Sequence, residues 1–216
     1  MGRPEPTEEE REARRAVLLD AAVDAIRRHG PDVSMEDLAK AAGVTKPILY
    51  RNFGHRDGLT TALAARFADG LQQTLLSAMA AGNRPGETLV KTIDAYLEFV
   101  ERDPEVYRFL VRRLLANERT ASDLSVGNFL RQVSNQVALV LGEQLRAANL
   151  DSGGAEPLAH GLVGMVHAAG DWWLERQTMP RATLVDYLYR LLSEGFTGLG
   201  LGPDGPSPKQ PSGAAR

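Results

Sequence analysis

The chain of 216 residues contains no cysteine, which excludes disulfide bonds and any chemistry based on a thiolate. Its longest apolar runs are far shorter than the roughly 20 residues of a membrane-spanning helix, and its N-terminus lacks the apolar segment of a signal peptide. No stretch shows the sustained alternation of apolar and polar residues that a half-buried strand requires. These absences predict an all-α, cytoplasmic protein that has no membrane partner.

The common catalytic motifs are missing as well, among them the Gly-x-Ser-x-Gly turn, the His-Glu-x-x-His helix and the phosphate-binding loop. Only four histidines are present, which leaves few groups for acid–base catalysis. His160 and His167 fall two helical turns apart, about 10 Å along the axis, so they are too distant to share one metal ion without help. We therefore predict no enzymatic activity, no cofactor and no metal site.

What the sequence does contain is a pair of short helices folded around Gly43. Ser34 and Thr45 are suited to cap the first and second helix, because their side-chain oxygens can accept from N–H groups of the first turn. Glycine between the helices supplies the positive φ that ends the first of them. Leu49 and Phe53 lie four residues apart in the second helix and are expected to face inward. This helix-turn-helix geometry allows a protein to place its second helix in the major groove of DNA.

The same segment resembles the TetR family of bacterial regulators. The matching motif runs from Ser-Met-Glu-Asp-Leu-Ala at Ser34 through Ala-Gly-Val-Thr-Lys-Pro-Ile-Leu-Tyr-Arg-Asn-Phe to Gly-His-Arg-Asp-Gly-Leu, which ends at Leu59, and it includes the apolar helix before it. Asn52 departs from the His or Tyr common in the family, and Arg56 from the frequent Lys, which puts sequence preference in doubt more than affinity. The resemblance implies contacts with double-stranded operator DNA from Ser34, Thr45, Lys46, Tyr50, Arg51, His55 and Arg56.

A different interpretation follows from the charge of this region. Acidic and basic residues nearly cancel over residues 1–60, so this part of the chain is not a basic coat for nucleic acid. Either it is a specific binder with few phosphate contacts, or the protein is a helical module that binds a ligand or a partner without specific DNA recognition. The family resemblance favours the first of these.

Beyond Gly54, apolar residues recur at helical spacing almost to the end of the chain. Leu59, Leu63, Phe67, Leu71 and Leu75 repeat every four residues along one long helix, and further helices follow, the last two over 156–177 and 181–199. Residues rich in Pro, Gly and Ser close the sequence. The predicted domains are a helix-turn-helix DNA-binding domain at 1–58, an effector-binding and dimerisation domain at 59–201, and a disordered tail at 202–216.

The resemblance also implies how the larger domain works, because TetR-type proteins commonly pair through their last two helices and bind a small effector. Small residues on the first of these helices would allow a partner helix to approach closely. The implied homodimer contacts are His160, Gly161, Gly164, Ala168, Leu184, Leu188 and Leu191. The candidate effector-binding residues are Tyr96, Tyr107, Phe109, Arg112, Phe129, Met165, His167, Asp171 and Trp172.

For each aromatic or methionine in that set, plain core packing is the alternative interpretation, and for the paired helices it is packing within one chain. A mostly apolar pocket would favour a lipophilic effector. The resemblance as a whole implies a repressor that binds a palindromic operator as a dimer and is released by its effector.

Overall fold

The computed structural model describes residues 7–116 and 126–198, together with the pairs 201–202 and 205–206. Nearly all of these residues are helical, so the prediction of an all-α fold is confirmed. The helices are α1 Glu8–His29, α2 Met35–Ala41, α3 Lys46–Phe53, α4 Arg56–Ala81, α5 Pro85–Arg102, α6 Pro104–Ala116, α7 Val126–Ala147, α8 Ala155–Arg176 and α9 Arg181–Gly198.

A two-residue antiparallel ladder follows α9. Strand β1, Leu201–Gly202, pairs with strand β2, Gly205–Pro206, in the register Leu201 to Pro206 and Gly202 to Gly205. The ladder lies at the start of the segment 202–216, which the sequence predicts as a disordered tail. The remaining residues of that segment lie outside the described part of the chain.

Local chemistry explains where the first helix begins and ends. Thr7 and Glu10 form a capping box, in which the Thr7 hydroxyl accepts from the Glu10 N–H and the Glu10 carboxylate accepts from the Thr7 N–H. The helix ends at Gly30, whose φ of +80° is strained for any residue with a Cβ. Proline residues begin both α5 and α6, where their missing N–H costs no helical hydrogen bond.

The chain divides into two compact units, of which the first comprises residues 1–70 and 102–128. Its core is formed by apolar side chains of α1, α2, α3, the first part of α4, and α6. Arg27 of α1 donates to both carboxylate oxygens of Asp103, at 2.6 and 2.9 Å, and this hydrogen-bonded pair raises the pKa of the guanidinium. The contact ties the end of α1 to the start of α6.

The second unit comprises residues 71–101 and 129–216. Its core packs Ile93 and Leu97 of α5 against α8 and α9, and Trp173 lies at its centre with 1% of its surface exposed. The Trp173 indole Nε1 donates to the Met179 carbonyl at 2.7 Å, which satisfies its buried N–H. No helix in the described parts of the chain is long and apolar enough to cross a membrane. The functional boundaries 1–58 and 59–201 stay a prediction.

Candidate nucleic-acid interface and ligand cavity

The helix-turn-helix forms as the sequence predicts at its first cap and at its turn. The Ser34 hydroxyl accepts from the Asp37 N–H at 3.1 Å and donates to the Asp37 carboxylate at 2.5 Å, which lowers the pKa of that carboxyl. Gly43 has a φ of +64°, and the Val44 N–H reaches back to the Ala39 carbonyl at 3.0 Å. These bonds close the corner between α2 and α3.

The prediction that the Thr45 side chain caps α3 is wrong. Thr45 occupies the N-cap position of α3 with extended backbone angles, yet its side chain makes no capping hydrogen bond. Pro47 in the first turn of α3 has no N–H, so this turn has one unpaired donor fewer than usual. The missing capping hydrogen bond therefore costs the helix less stability. The exposed Thr45 hydroxyl is therefore not engaged by the helix that follows it.

The side chains of α3 divide into two faces. Leu49 and Phe53 are buried in the core of the first unit, as predicted. Lys46 and Arg51 are exposed, and Tyr50 is half-buried between the two faces. The Lys46 ammonium lies 5.8 Å from the centroid of the Tyr50 ring, so the two predicted contact residues form one surface.

Arg15 of α1 holds the end of α3, and sequence reasoning missed it. Its Nη1 donates to the Asn52 carbonyl at 2.7 Å, and its guanidinium lies 4.8 Å from the centroid of the Phe53 ring. The Asn52 side chain turns back to donate to the Ile48 carbonyl at 2.8 Å. No local signal marks Arg15, because its partners lie 37 residues away along the chain.

The two remaining predicted DNA contacts differ in their surroundings. His55 is exposed directly after α3. Arg56 is half-buried and its Nη2 donates to the Val33 carbonyl at 2.7 Å, so this guanidinium holds the loop before α2. Its geometry is that of a residue that positions the loop, whereas the sequence interpretation gave it a DNA contact.

A cavity of about 390 Å³ lies within the second unit, between α4, α5, α7 and α8. This volume falls in the usual range of small-molecule sites, roughly 300–1,000 Å³. The apolar wall consists of Leu71, Leu75, Leu76, Met79, Leu89, Ile93, Leu130, Val133, Val137, Leu162, Val163 and Val166. The polar lining consists of Gln72, Thr92, Tyr96, Gln132, Gln136 and His167.

Tyr96 and His167 form a polar pair in the lining of this cavity. The Tyr96 hydroxyl lies 3.1 Å from His167 Nδ1, and either group can be the donor, depending on the tautomer of the imidazole. Burial lowers the pKa of His167, and the nearby Asp171 carboxylate opposes this shift only in part. The imidazole is therefore neutral at neutral pH.

Of the nine predicted effector-binding residues, the cavity contains Tyr96 and His167. Tyr107, Phe109 and Arg112 belong to the first unit: the two aromatic side chains are buried there, and Arg112 is exposed and pairs with Asp32 at 3.4 Å. Met165, Asp171 and Trp172 of α8 are not among the lining residues of the cavity. The side chain of Phe129 lies outside the described residues.

The predicted dimer contacts also separate into two groups. Gly161, Gly164 and Ala168 lie along one exposed face of α8, and His160 is half-buried beside them with its Nδ1 3.0 Å from the Glu156 carbonyl. A Cβ added at Gly161 or Gly164 would meet nothing within 4 Å. These positions leave space for a second helix.

The predictions for α9 need a correction. Leu184 and Leu188 are each only 6% exposed and belong to the core of their own unit, so they cannot contact a partner unless that core opens. Leu191 is 60% exposed, and Tyr187, which sequence reasoning missed, is 58% exposed one turn before it. The exposed apolar stripe of Tyr187 and Leu191 is therefore centred roughly 50° around the helix from the predicted stripe of Leu184, Leu188 and Leu191.

Metal-ligating side chains do not converge in the described residues, where no group of three histidines or carboxylates could hold an ion. His160 and His167 each have a hydrogen-bond partner of their own. The candidate site residues are those of the exposed face of α3, the cavity, and the exposed stripes of α8 and α9.

Comparison with known proteins decides the family. Residues 18–63 match the model of bacterial regulatory proteins of the tetR family, and residues 74–206 match that of the tetracyclin repressor-like C-terminal domain. The chain belongs to the TetR family. It is a transcriptional regulator of the helix-turn-helix type, as the resemblance of its first helices predicts.

Similar proteins match most of the length of this chain. An HTH-type transcriptional regulator of Mycobacterium tuberculosis is 34% identical over 187 residues, which cover 86% of this chain and 78% of the relative. The HTH-type transcriptional activator FasR of Mycolicibacterium smegmatis is 26% identical over 166 residues, 76% of this chain and 74% of FasR. A TetR-family regulator from Pectobacterium atrosepticum shares the fold, with a TM-score of 0.72 and 24% identity over 92% of this chain and all of that one.

Proposed function

We propose that this TetR-family regulator is a homodimeric, cytoplasmic repressor without catalytic activity, which binds a palindromic operator and is released by a small lipophilic effector. The observation that carries the proposal is the outer face of α3, where Lys46, Tyr50 and Arg51 lie together on a helix anchored from behind by Leu49 and Phe53. A recognition helix needs this combination of an exposed polar face and a fixed inner face.

The residues of this surface are proposed to have different roles. Lys46, at the exposed start of α3, reaches a base edge or a phosphate. The Tyr50 hydroxyl donates to a phosphate and fixes the register of the helix on the duplex without reading sequence. Ser34 and Thr45 contribute phosphate contacts beside the two helix starts, where backbone N–H groups favour an anion.

Arg51 and His55 extend the same surface on the exposed side and after the end of α3. The Arg56 Nη2 donates to the Val33 carbonyl, so we expect Arg56 to orient the loop before α2 as well as to contact a phosphate with its other N–H donors. This division of roles explains how a region with almost no net charge can bind a specific site.

Dimerisation is proposed through α8 and α9. The exposed stripe of Gly161, Gly164 and Ala168 allows close approach of a partner helix, and Tyr187 and Leu191 offer apolar area beside it. A dimer of this kind would present two copies of α3 to half-sites one duplex turn apart, about 34–36 Å, or a multiple of that distance.

Release by the effector is proposed as a shift in population. DNA favours the dimer conformations that match the half-site spacing, and an effector in the cavity favours others. The effector then weakens DNA binding by as much as its affinity differs between the two states. The relative FasR is named an activator. The alternative to our proposal is therefore that this chain activates transcription and that its effector favours the conformation that binds DNA.

The test is selection of binding sites from a pool of random duplex DNA with the purified full-length chain. Lys46→Ala runs in parallel, and Arg131→Ala serves as the matched control, because Arg131 is an exposed cation in the second unit. We expect the parent and the control to enrich one palindrome and Lys46→Ala to fail. If the parent enriches no site after refolding to remove bound ligand, the protein is instead a helical ligand-binding module without specific DNA recognition.

A further inference from the structure

The helices α5 and α9 of the second unit lie side by side and run in opposite directions. Arg181, the first residue of α9, hydrogen-bonds to carboxylates in the second half of α5. Further along α9, Tyr189 and Ser193 line a second, smaller cavity together with residues from the range 85–92 at the start of α5. The two helices are therefore joined by an ion-pair contact at one end and separated by a cavity at the other.

The end of the pair that contains Arg181 is held tightly. The Arg181 Nε donates to the Asp94 carboxylate at 2.8 Å, and its Nη1 donates to the Glu101 carboxylate at 2.7 Å. Because the acceptors are seven residues apart on one side of α5, one guanidinium spans two turns of that helix, about 10 Å. All three side chains are partly buried, so water screens these charge-assisted bonds less than it screens a surface pair. We call this contact the Arg181 clamp.

The other end of the pair is less closely packed. Among the described side chains of α9, the core cluster contains Leu184, Val185 and Leu188 in the first half of the helix and Leu192 in the second. The smaller cavity beside the second half has a volume of about 130 Å³ and is lined mainly by α5, α7 and α9. Side chains that border an empty space lack contacts on one side, so moving them costs less than in a filled core. The second half of α9 is therefore the part that can move.

The smaller cavity fits a compact apolar group. The apolar part of its wall includes Met79, Leu89, Val137, Val140, Leu141 and Leu162. An apolar cavity of about 150 Å³ in another protein binds benzene, so a space of this size suits one ring or a short branched chain. Four of these wall residues also line the larger cavity, so one ligand can place such a group in the smaller space.

The outward side of the same half of α9 belongs to the proposed dimer surface. Tyr187 and Leu191 are exposed, whereas Tyr189 and Ser193 line the smaller cavity. Each exposed residue precedes a cavity residue by two positions, which is about 200° around the helix. The cavity and the dimer surface therefore lie on nearly opposite sides of one helix, and a displacement of that helix acts on both.

We infer that the smaller cavity is a second ligand subsite for a compact apolar group, and that filling it tilts α9 about the Arg181 clamp and changes the geometry of the dimer. The inference rests on the proposed function, in which α8 and α9 form the dimer. It deepens that proposal by naming the helix that moves, the point about which it turns and the kind of group that moves it.

The subsite is tested with benzene as the probe and methyl resonances as the readout. Val140 and Leu141 line the smaller cavity and not the larger one, whereas Leu71 and Ile93 line the larger and not the smaller. Benzene should shift the methyl resonances of Val140 and Leu141 in the full-length protein. The absence of such shifts in the parent overturns the subsite without reliance on any variant.

One cavity-filling variant sharpens this test. Ser193→Phe fills the smaller cavity from α9, and Ser193→Ala is its control. We expect the Phe variant to lose the response of Val140 and Leu141 to benzene and to keep the response of Leu71 and Ile93 seen in the parent. The Ala variant should respond as the parent does at all four residues. An undiminished response of Val140 and Leu141 in the Phe variant overturns the placement of benzene in this cavity.

The tilt is tested with distances between spin labels in the dimer, because a chain without cysteine gives each introduced cysteine a unique label. Ala182→Cys places a label beside the clamp and Thr197→Cys places one about 22 Å further along α9, both at exposed positions. A tilt of about 5° moves the far position by about 2 Å over this length. Benzene should therefore change the distance between the two Thr197 labels by at least about 2 Å and leave the distance between the Ala182 labels unchanged. Equal changes at both positions overturn the pivot, and no change at either overturns the coupling.

The clamp itself is tested with Arg181→Met, which keeps the length of the side chain and removes its donors. Benzene should then move the Ala182 labels as well, because the start of α9 is released. Arg131→Met, the same change at an exposed cation of this unit, should behave as the parent does. Ala182 labels that stay fixed in Arg181→Met overturn the clamp as the pivot. If melting shows that this variant is unfolded, Arg181→Lys replaces it, since lysine lacks the planar fork and should allow a smaller movement.

Sedimentation of the full-length parent separates this inference from the function on which it rests. A monomer overturns the proposed dimer and the effect on its geometry, while the methyl resonances still decide whether the subsite exists. A dimer whose labels do not respond to benzene overturns the inference alone.

Discussion

The two units of this protein carry function in different ways. In the first unit, the candidate DNA-binding surface is built from neighbours in sequence: Lys46 and Tyr50 are separated by one helical turn, and their helix is short and locally defined. In the second unit, the cavity takes its lining from four separate helices spread over nearly a hundred residues. The first kind of site is encoded in a motif, and the second arises only from packing.

The largest effect is expected from a test of which of the two adjacent tryptophans stabilises the core of the second unit. Trp173→Ala should lower the free energy of unfolding by about 3–5 kcal/mol, because it empties the centre of a packed core. Trp172→Ala is the neighbouring control and should change it by less than about 1 kcal/mol, since Trp172 is 47% exposed. Urea denaturation measures the free energy of unfolding of both variants. Similar losses of stability would contradict the assignment of Trp173 to the core and Trp172 to the surface.

The next effect tests the motif-encoded surface. Lys46→Ala should weaken operator binding by about 1–3 kcal/mol, and Tyr50→Phe should weaken it by less, through one lost phosphate contact. Fluorescence anisotropy with labelled operator at two salt concentrations separates base contact from phosphate contact. Sedimentation should show the dimer unchanged in both variants. Either variant binding like the parent would place the recognition surface elsewhere.

A smaller effect distinguishes packing within a protomer from packing between protomers. Gly164→Ala meets open space and should favour the helix by about 1 kcal/mol, yet it should weaken the dimer. Gly170→Ala is the matched control, because its Cβ would lie 3.0 Å from both Leu97 and Tyr96 and should destabilise the fold. Unfolding and sedimentation are measured for both variants, and a dimer unaffected by Gly164→Ala would argue against this face of α8 as the interface.

The smallest expected effect is a dependence of stability on pH. The pKa of His167 is lowered in the folded state, so the unfolded chain takes up the proton first as pH falls. The stability associated with neutral His167 is therefore fully present above about pH 6.5, the ordinary pKa, and is lost as pH falls through the lower folded value. His167→Gln should flatten this part of the stability curve measured by thermal melting, and an unchanged slope would assign the dependence to other groups.

The difference between the two units also explains which structural features could be predicted from the sequence. The helices, the Ser34 cap, the Gly43 turn and the inward pair Leu49 and Phe53 depend on residues within a few positions of one another, and all are confirmed. The prediction of a Thr45 cap failed because the motif records only the residue type, and Thr45 occupies the N-cap position without a side-chain hydrogen bond.

Predictions that depend on rotation or on distant neighbours fared worse. Leu184, Leu188 and Leu191 of α9 recur every three or four residues and lie within about 60° of one another around the helix. Apolar spacing alone therefore did not separate Leu188 in the core from Leu191 on the surface. Tyr107 and Phe109 are residue types that often line apolar pockets, but they belong to the first unit, whereas the cavity lies in the second. Arg15 carries no signal at all until α1 and α3 are placed side by side.

The clamp formed by Arg15 has a consequence for how this regulator can change. It holds the main-chain carbonyl of residue 52 and the ring of Phe53, and it does not use the side chain of residue 52. Substitutions at 46, 51 and 52 can therefore alter operator preference while the attachment of α3 stays intact. The family departure at Asn52 falls at such a permissive position. This separation makes the outer face of α3 the natural region to randomise when a regulator with a new target sequence is wanted.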